Sequence, residues 1–191
     1  SATEPPPVVR RFTGNDGDNI RAAIGNCNIS GAVTIAGLIR HRTAQYRTWL
    51  NLLSSTEDGI GYAFGQDAPS YATLWNGSSE DYSPAGFYGL DEWTLIAVSK
   101  ASGSQTVSWS RYNFSTNTWT HDNTENLSNA SPVPGGFVEI GAYEGGSHPT
   151  ADFAALAIWN TNLSTGQIET LVDGSLEEWN TPPFEPTILN N

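Results

Sequence analysis

Pairs of acidic residues are the first candidates for chemistry, because glycosidases work with two carboxylates placed around one bond. The stretch "EIGAYE" puts Glu139 and Glu144 five positions apart. A regular strand points such residues to opposite faces, whereas a retaining pair holds its carboxyls about 5.5 Å apart. The spacing predicts that the protein is not an enzyme. Other adjacent acids also diverge on a strand and are interpreted as solvated loop charges: Glu80 and Asp81, Asp91 and Glu92, Glu177 and Glu178.

The residues that could act as a catalytic nucleophile or as zinc ligands do not have the spacing that such sites need. The stretch "GGSHP" at 145–149 approaches a Gly-x-Ser-x-Gly elbow, but it ends in proline and lies between two predicted strands. His41, His121 and His148 are far apart and form no His-Glu-x-x-His pattern. Cys27 is the only cysteine, which excludes an internal disulfide framework, and we interpret it as a small buried apolar residue.

One short acidic stretch invites a calcium hypothesis. "NDGDN" at 15–19 contains Asp16 and Asp18, whose carboxylates are hard oxygen ligands. Ile20 stands where an EF-hand loop needs a ligand or glycine, and Asn, Asp and Gly all favour turns. A polar turn is therefore the preferred interpretation, calcium on Asp16 and Asp18 is the alternative, and no other cofactor is expected.

Four aromatic residues are candidates for sugar contact. Trp75, Tyr82, Phe87 and Tyr88 lie in "LWNGSSEDYSPAGFYG", a loop-rich stretch with Asn and Asp close by. Aromatic faces stack on sugar rings while nearby amides and carboxylates bind hydroxyl groups. The alternative is that these rings close one end of the hydrophobic core, which is the commoner fate of aromatic residues.

The charge of the chain is strongly acidic and unevenly distributed. A formal net charge of −12 disfavours nucleic acid and anionic membranes as partners. No apolar run approaches the length of a membrane span. Residues 1–47 carry six arginines against three acids, and residues 48–191 carry two cations against 17 acids. Either arginines near the N-terminus meet the acidic body of a neighbouring copy, or they pair within one fold.

The elements that would position these residues are short strands. Apolar and polar residues alternate in "AVTIAGLI" and "EWTLIAVSK", and Gly, Pro and Asn turns separate many such runs. "QTVSWSRYNF" and "NTWTHD" predict a hairpin closed at 115–117, with a bulge or strand end near Arg111, where the apolar phase slips. The pattern predicts an all-β sandwich or jelly roll of one domain.

A single helix is predicted close to the end of the sandwich. Ser164 and Gln167 have the spacing of a capping box, and Ile168, Leu171 and Val172 form one apolar stripe behind it. A helix this short is marginal alone. It must therefore pack on the predicted sheet.

The order of these features resembles a laminin-G-like (LamG-like) domain of the concanavalin A-like lectin/glucanase sandwiches. Four pieces carry the likeness: "RFTGNDGDNI", "GAVTIAGLIRHR", "DEWTLIAVSK" and "GGFVEIGAYEGGSHPTADFAALAIWNTNLSTGQIETLV". The resemblance implies a two-sheet antiparallel jelly roll over residues 9–174 with one short C-terminal helix. Independently of the resemblance, the Pro-rich ends "SATEPPPVVRR" and "NTPPFEPTILNN" predict extended arms at 1–8 and 175–191. Glucanases of this fold resemble one another in a Glu-x-Asp-x-x-Glu strand, and here Gly141 replaces the central Asp.

The strand before the helix departs from the family pattern. Ala154, Ala155 and Ala157 stand where the family usually has charged residues. A strand that is apolar on both faces is buried on both faces. Either the helix and an arm cover this strand, or another subunit does.

The arms and the resemblance together predict a binding or structural role. We expect a bacteriophage virion component, a capsid decoration or tail-associated protein on the particle surface, which binds copies of itself and capsid proteins through its arms. The alternative is a lectin-like module of a secreted or cell-surface protein that binds cell-surface glycans. Arm residues suited to assembly contacts are Val8, Val9, Arg10, Arg11, Phe184, Ile188 and Leu189.

Overall fold

A computed structural model describes most of the chain between residues 10 and 173. The described ranges are 10–14, 20–23, 31–45, 47–54, 60–67, 70–76, 79–127, 135–141 and 148–173. The predicted arms at 1–8 and 175–191 lie outside these ranges, as do Cys27 and the "NDGDN" stretch. Within the described ranges, no helix has the length and apolar character needed to cross a lipid bilayer.

Twelve strands and one helix form the described part of the chain. The strands are β1 (Arg10–Thr13), β2 (Ile20–Ala23), β3 (Val33–His41), β4 (Arg47–Ser54), β5 (Ile60–Asp67), β6 (Tyr71–Trp75), β7 (Glu80–Tyr82), β8 (Trp93–Lys100), β9 (Val107–Asn113), β10 (Thr118–Thr124), β11 (Gly135–Ile140) and β12 (Thr150–Trp159). The helix α1 (Thr165–Asp173) follows β12 directly. The all-β prediction with one short C-terminal helix is confirmed.

The strands form two six-stranded sheets. Sheet A has the order β1-β12-β3-β8-β9-β10, and sheet B has the order β2-β11-β4-β5-β6-β7. All pairs of neighbouring strands are antiparallel. β1, the first strand of the chain, pairs with β12, the last strand, and many other neighbouring strands are distant in sequence. This is the predicted two-sheet antiparallel jelly-roll sandwich.

The main core lies between the two sheets and follows the predicted alternation. Val33 and Ile35 of β3 belong to it, together with Ile96 and Val98 of β8. Trp49, Phe64 and Trp109 are among its largest fully buried side chains. Burial of this much apolar surface is the dominant stabilising contribution to such a sandwich.

A second apolar cluster covers the outer face of sheet A and explains the alanines. Ala154 and Ala157 of β12 lie in it with Ile168 and Leu171 of α1, and Ala155 packs against it. A register shift between Phe153 and Ala155 places both Ala154 and Ala155 outside the main core. The helix thus contributes to the apolar cover of the outer face of sheet A within the same chain, as the first explanation predicted for the helix, whereas the arm of that explanation lies outside the described residues.

Polar contacts hold the helix in place. Ser164 N donates to Gln167 Oε1 (2.9 Å) and Gln167 N donates to Ser164 Oγ (3.3 Å), which confirms the capping box. Thr34, fully buried on β3, donates to Thr161 O (2.8 Å) and accepts from Leu163 N (2.9 Å). Thr34 thus attaches the connection between β12 and α1 to sheet A at two positions.

The prediction of a bulge or strand end near Arg111 is wrong. β9 pairs with β8 and β10 in unbroken register through Arg111, and the hairpin turn falls at the predicted position. The apolar phase changes because Trp109 points into the main core whereas Tyr112 points into the outer cluster. The apolar phase therefore slips because both faces of β9 are buried, and not because its backbone is irregular.

Candidate functional site

The structure separates the four aromatic candidates into two pairs. Phe87 and Tyr88 are 2% and 3% exposed and belong to the main core. The ring of Phe87 contacts Trp109 (centroids 6.1 Å apart), and the ring of Tyr88 packs on His41 (4.0 Å). Neither ring has a face that is open to a ligand. The prediction of sugar contact is therefore wrong for these two residues, because both are buried in the hydrophobic core.

Trp75 and Tyr82 lie on the outer face of sheet B. Ala72 and Leu74 of β6 point into the main core, so Tyr71, Thr73 and Trp75 point outward. The register places Tyr82 opposite Thr73 and Glu80 opposite Trp75. We call Tyr71, Trp75, Glu80 and Tyr82 the aromatic patch.

The aromatic patch combines two ring planes with a carboxylate. The rings of Tyr71 and Tyr82 meet edge to face, with centroids 6.1 Å apart and planes at 83°. The hydroxyl of Tyr82 donates to Glu80 Oε2 (2.8 Å). Tyr82 is 37% exposed, while Tyr71 and Trp75 are half-buried. On the other side of β6 the register partners of Thr73 and Trp75 are the small residues Gly65 and Ala63.

Two polar atoms of the aromatic patch have complementary hydrogen-bonding needs. In the described part of the chain, Trp75 Nε1 and Glu80 Oε1 have no hydrogen-bond partner, and both atoms are buried. An indole N–H only donates and a carboxylate oxygen only accepts. Because both atoms are closed to solvent, the exposed polar groups of the patch are the Tyr82 hydroxyl and Glu80 Oε2, which bond to each other.

A buried carboxylate fixes the strand that carries the patch. Asp81, between Glu80 and Tyr82, is fully buried and faces the opposite way. Its Oδ1 accepts from Tyr82 N (2.7 Å) and Asn126 Nδ2 (3.0 Å), and its Oδ2 accepts from Thr124 Oγ1 (2.7 Å) and Asn126 N (3.3 Å). Asp81 thereby joins the edge strand of sheet B to the end of β10 in sheet A, and it holds β7 in register.

A buried polar network inside the sandwich is centred on Gln66 of β5. Gln66 Oε1 is a carbonyl oxygen that only accepts, so His41 donates to it from Nδ1 (3.0 Å), as Trp49 does from Nε1 (3.0 Å). Gln66 Nε2 donates to Thr43 O (2.7 Å) and Gln45 O (2.9 Å). Burial lowers the pKa of His41 to about 3, against the raising effect of its hydrogen bond to Gln66. His41 is therefore neutral at pH 7 and has a structural role.

The remaining catalytic candidates are not assembled into a site. Glu139 is 2% exposed on β11 with Arg21 and Asn51 as register partners, and Glu144 lies outside the described residues. His121 contacts Ser110 and Glu169, whereas His148 contacts the carbonyl of Gly141. Within the described ranges, no three His, Cys, Asp or Glu side chains are grouped to hold a metal ion. The calcium candidates Asp16 and Asp18 lie outside those ranges.

The assembly candidates are only partly visible. Val8, Val9, Phe184, Ile188 and Leu189 lie outside the described residues. Arg10 and Arg11 belong to β1, and Arg11 is paired within the chain: its Nε donates to Asp152 Oδ1 across 2.6 Å. For Arg11, internal pairing is thus observed, one of the two explanations predicted for the uneven charge.

Asp152 gathers two further arginines that sequence reasoning missed. Arg40 donates to its Oδ2 from Nε (2.9 Å) and Nη2 (2.5 Å), and Arg42 does so from Nε (3.2 Å) and Nη2 (2.7 Å). Burial alone would raise the pKa of Asp152, but the hydrogen bonds from Arg11, Arg40 and Arg42 outweigh it and lower the pKa to about 2. Tyr71 and Glu80 were also missed, and only the strand register brings each of these residues to its neighbours.

Comparisons with known proteins identify the fold. The chain matches no protein-family model and no curated protein in sequence. A heptameric SAP-like pentraxin from Limulus polyphemus matches as a structure with 16% identity and a TM-score of 0.62, covering 85% of this chain and 80% of the pentraxin. Domains LG4-5 of the mouse laminin alpha1 chain match with 8% identity and a TM-score of 0.56, covering 85% of this chain and 45% of that fragment.

A phage protein is also among the similar structures. Tailspike protein 2 of an Escherichia coli O157:H7 bacteriophage matches with 13% identity and a TM-score of 0.53, covering 85% of this chain and 24% of the tailspike. The chain thus spans about a quarter of the tailspike and under half of the laminin fragment. At these identities the likeness shows the fold alone: a LamG-like, concanavalin A-like jelly roll.

Proposed function

We propose that the protein is a non-catalytic binding module and that the aromatic patch on sheet B is its carbohydrate-binding surface. The observation that carries the proposal is the arrangement of Tyr71, Trp75, Glu80 and Tyr82 on one outward face. Rings that meet at nearly a right angle present two different surfaces to a sugar. Glu80 Oε2, which accepts from the Tyr82 hydroxyl in an exposed hydrogen bond, can also accept from a sugar hydroxyl group.

The chemistry of the patch favours a hydroxyl-rich ligand over a simple apolar one. Pyranose rings carry C–H groups that pack on aromatic faces and hydroxyl groups that both donate and accept. The Tyr82 hydroxyl and Glu80 Oε2 form an exposed hydrogen bond, and both groups can also bond to such a ligand. Few flexible side chains would have to be ordered on binding, since the rings already contact each other.

The carboxylates of β7 support a role without catalysis. Glycosidases use two acidic groups on one sugar-facing site. Of the two acids on β7, Glu80 faces the patch, but Asp81 faces the interior and its oxygens accept four hydrogen bonds. A single available carboxylate can bind a sugar but does not provide the acid and nucleophile pair.

Substitutions on the patch test the proposal. The full chain is applied to a glycan array, and the strongest neutral ligand is measured by isothermal titration calorimetry. Trp75→Ala and Tyr82→Ala are each expected to weaken binding at least tenfold. The matched control is Trp119→Ala, a half-buried tryptophan on sheet A. Absence of any glycan ligand, or equal losses in Trp75→Ala and Trp119→Ala, would show that the patch is not the binding surface.

A second proposal concerns the setting in which the module works. We propose that it is a component of a phage particle, a capsid decoration or tail-associated protein that contacts copies of itself and capsid proteins through residues 1–8 and 175–191. The tailspike similarity supports this setting, because a phage protein contains a domain of the same fold. A secreted or cell-surface lectin-like module is the alternative.

Sedimentation distinguishes the two settings. A virion component is expected to sediment as an oligomer or to co-purify with particles, and deletion of 1–9 or 181–191 should abolish this attachment. A monomeric full chain whose glycan binding survives both deletions would favour the lectin-like alternative.

A further inference from the structure

A row of charged and aromatic side chains crosses four strands on the outer face of sheet A. The register pairs Arg11 of β1 with Asp152 of β12, Asp152 with Arg40 of β3, and Arg40 with Trp93 of β8. Arg42, just after β3, reaches the same carboxylate. We propose that this arginine row binds the carboxylate group of an acidic sugar. The site lies on the sheet opposite the aromatic patch and does not depend on the function proposed for that patch.

The row carries more positive charge than its own acids balance. Among the described residues, three guanidinium groups face two carboxylates: Asp152, and Asp91, which accepts from Arg42 Nη1 across 2.5 Å. One positive charge is left over, in a chain whose formal net charge is −12, and it favours an anion at this place.

The geometry exposes the cations and hides the anion. The side chain of Asp152 is 0% exposed, whereas those of Arg11, Arg40 and Arg42 are 60%, 24% and 31% exposed. A ligand that approaches from solvent meets guanidinium N–H groups and not the carboxylate beneath them. The surface presented is therefore that of an anion-binding site.

Unused donors remain on two of the arginines. Arg11 donates to Asp152 from Nε and Nη2, and Arg40 does so from Nε and Nη2. Nη1 of each donates to no described residue. A guanidinium with its N–H groups in one plane binds a carboxylate through two parallel hydrogen bonds, and its orientation here is already fixed by Asp152.

An aromatic ring beside the guanidiniums favours a sugar as the carrier of the carboxylate. The guanidinium carbon of Arg40 lies 5.2 Å from the centre of the half-buried Trp93 ring. A uronate or similar acidic sugar offers a ring to pack near the indole and a carboxylate for the arginines. An inorganic anion would use the arginines but not the indole ring.

Titration of the full chain with a defined oligosaccharide tests the proposal. The probe is an oligosaccharide of alternating glucuronate and N-acetylglucosamine, and its control is the same oligosaccharide with the carboxyl groups reduced to alcohols. We expect the reduced form to bind at least tenfold more weakly in calorimetry. Arg11→Gln should weaken binding of the acidic form at least tenfold, whereas Arg47→Gln, which removes an equal charge on sheet B, should change it less than twofold.

Further measurements separate the proposal from its alternatives. Arg11→Lys keeps the charge but loses the planar fork, so we expect an intermediate affinity; circular dichroism checks that each variant is folded. Equal binding of the reduced oligosaccharide, or equal losses in Arg11→Gln and Arg47→Gln, would overturn the proposal. So would no binding at all, or preference for a sulfated oligosaccharide. Loss of acidic-sugar binding in Trp75→Ala would assign the ligand to the aromatic patch instead.

Discussion

Two buried carboxylates are stabilised in different ways. Asp81 accepts hydrogen bonds from neutral backbone and side-chain donors, whereas Asp152 lies beneath three guanidinium groups. A buried charge without such partners would be strongly destabilising. Each carboxylate also joins strands that are distant in sequence, so each specifies how the sheets come together.

Removal of the Asp81 carboxylate should destabilise the sandwich. Asp81→Ala removes the acceptor of four hydrogen bonds, each of which contributes about 0.5–1.5 kcal/mol. We expect the free energy of unfolding to fall by about 2–4 kcal/mol in chemical denaturation. Asp122→Ala, on the exposed face of β10, is the control and should change it by less than about 0.5 kcal/mol.

Asp152 should make stability depend on pH in the acid range. Its pKa is about 2 in the folded protein and 3.8 in an unperturbed carboxyl group. The unfolded state therefore binds the proton first, and the contribution present above pH 4 is lost as the pH falls towards 2. It amounts to about 2 kcal/mol. Denaturant titrations from pH 5 to 2 should show this decrease in the wild type and not in Asp152→Asn, which is less stable at pH 7.

His41 should act in a separate pH window. Its pKa is about 3 in the folded state against 6.5 for an unperturbed imidazole, so protons bind the unfolded state preferentially between these limits. Stability is then complete above pH 6.5 and falls by about 1.4 kcal/mol per pH unit below it. The difference between wild type and His41→Phe, measured by urea denaturation from pH 7.5 to 4.5, should follow this slope. A constant difference would contradict the assignment of a neutral buried imidazole.

Residue type alone could not separate outward-facing rings from core rings. Trp75, Tyr82, Phe87 and Tyr88 are equally plausible by composition, and only Tyr82 and Trp75 reach an outer face. The strand alternation around Leu74 fixes the direction of Trp75, but the chain between β7 and β8 has no periodicity from which to place Phe87 and Tyr88. The arginine row was equally hidden, since its members come from positions 11, 40, 42 and 152.

At the scale of elements, α1 completes a hydrophobic layer that the sheet begins. Leu163 and the apolar stripe of α1 share a cluster with Leu38 of β3 and Leu95 of β8. The helix is too short to be stable alone. Its stability comes from this contact. The alanines of β12 contribute small side chains to the same cluster.

Truncation of the buried stripe tests this dependence. Ile168 is 1% exposed, and Ile168→Ala is expected to lower the free energy of unfolding by about 2–4 kcal/mol through lost burial and a residual cavity. Thr170→Ala, on the exposed side of the same helix, should have an effect below about 0.5 kcal/mol. Hydrogen exchange should show faster opening of α1 in Ile168→Ala. Equal stability of the two variants would mean that the helix does not seal sheet A.

The elements were more predictable than the faces they bury. Alternation in β3 and β8 and the capping box at Ser164 are local signals, and the structure confirms them. The slip at Arg111 was misread because a strand covered on both sides carries apolar residues in both phases. Local sequence does not show that a helix from the far end of the domain supplies the second cover.

At the scale of the whole molecule, the sandwich is closed by contacts between the ends of the chain. β1 pairs with β12, with Arg10 opposite Phe153 and Thr13 opposite Thr150. Phe12 contributes a ring to the main core and contacts Phe153 edge to face (5.0 Å). Contacts of such high sequence separation are expected to form slowly in folding.

Deletions at the N-terminus should reveal where the folded unit begins. Removal of residues 1–9 is expected to leave the melting temperature within about 2 °C, because the strand pairing begins at Arg10. Removal of 1–14 deletes β1 and Phe12 and should cost at least about 3 kcal/mol, or roughly 6–12 °C. Differential scanning calorimetry measures both. A large loss in the shorter deletion would place structural contacts within residues 1–9.

The two sheets leave unequal freedom for sequence change. On sheet A, Ala154 and Ala157 of β12 are buried in the cluster that contains α1, so a larger residue there would displace its neighbours. At the edge of sheet B, Tyr82 of β7 is exposed and Tyr71 of β6 is half-buried. Substitutions at these outward positions should therefore disturb the domain less than those in the outer cluster of sheet A, which makes that edge the natural place to diversify this protein by selection.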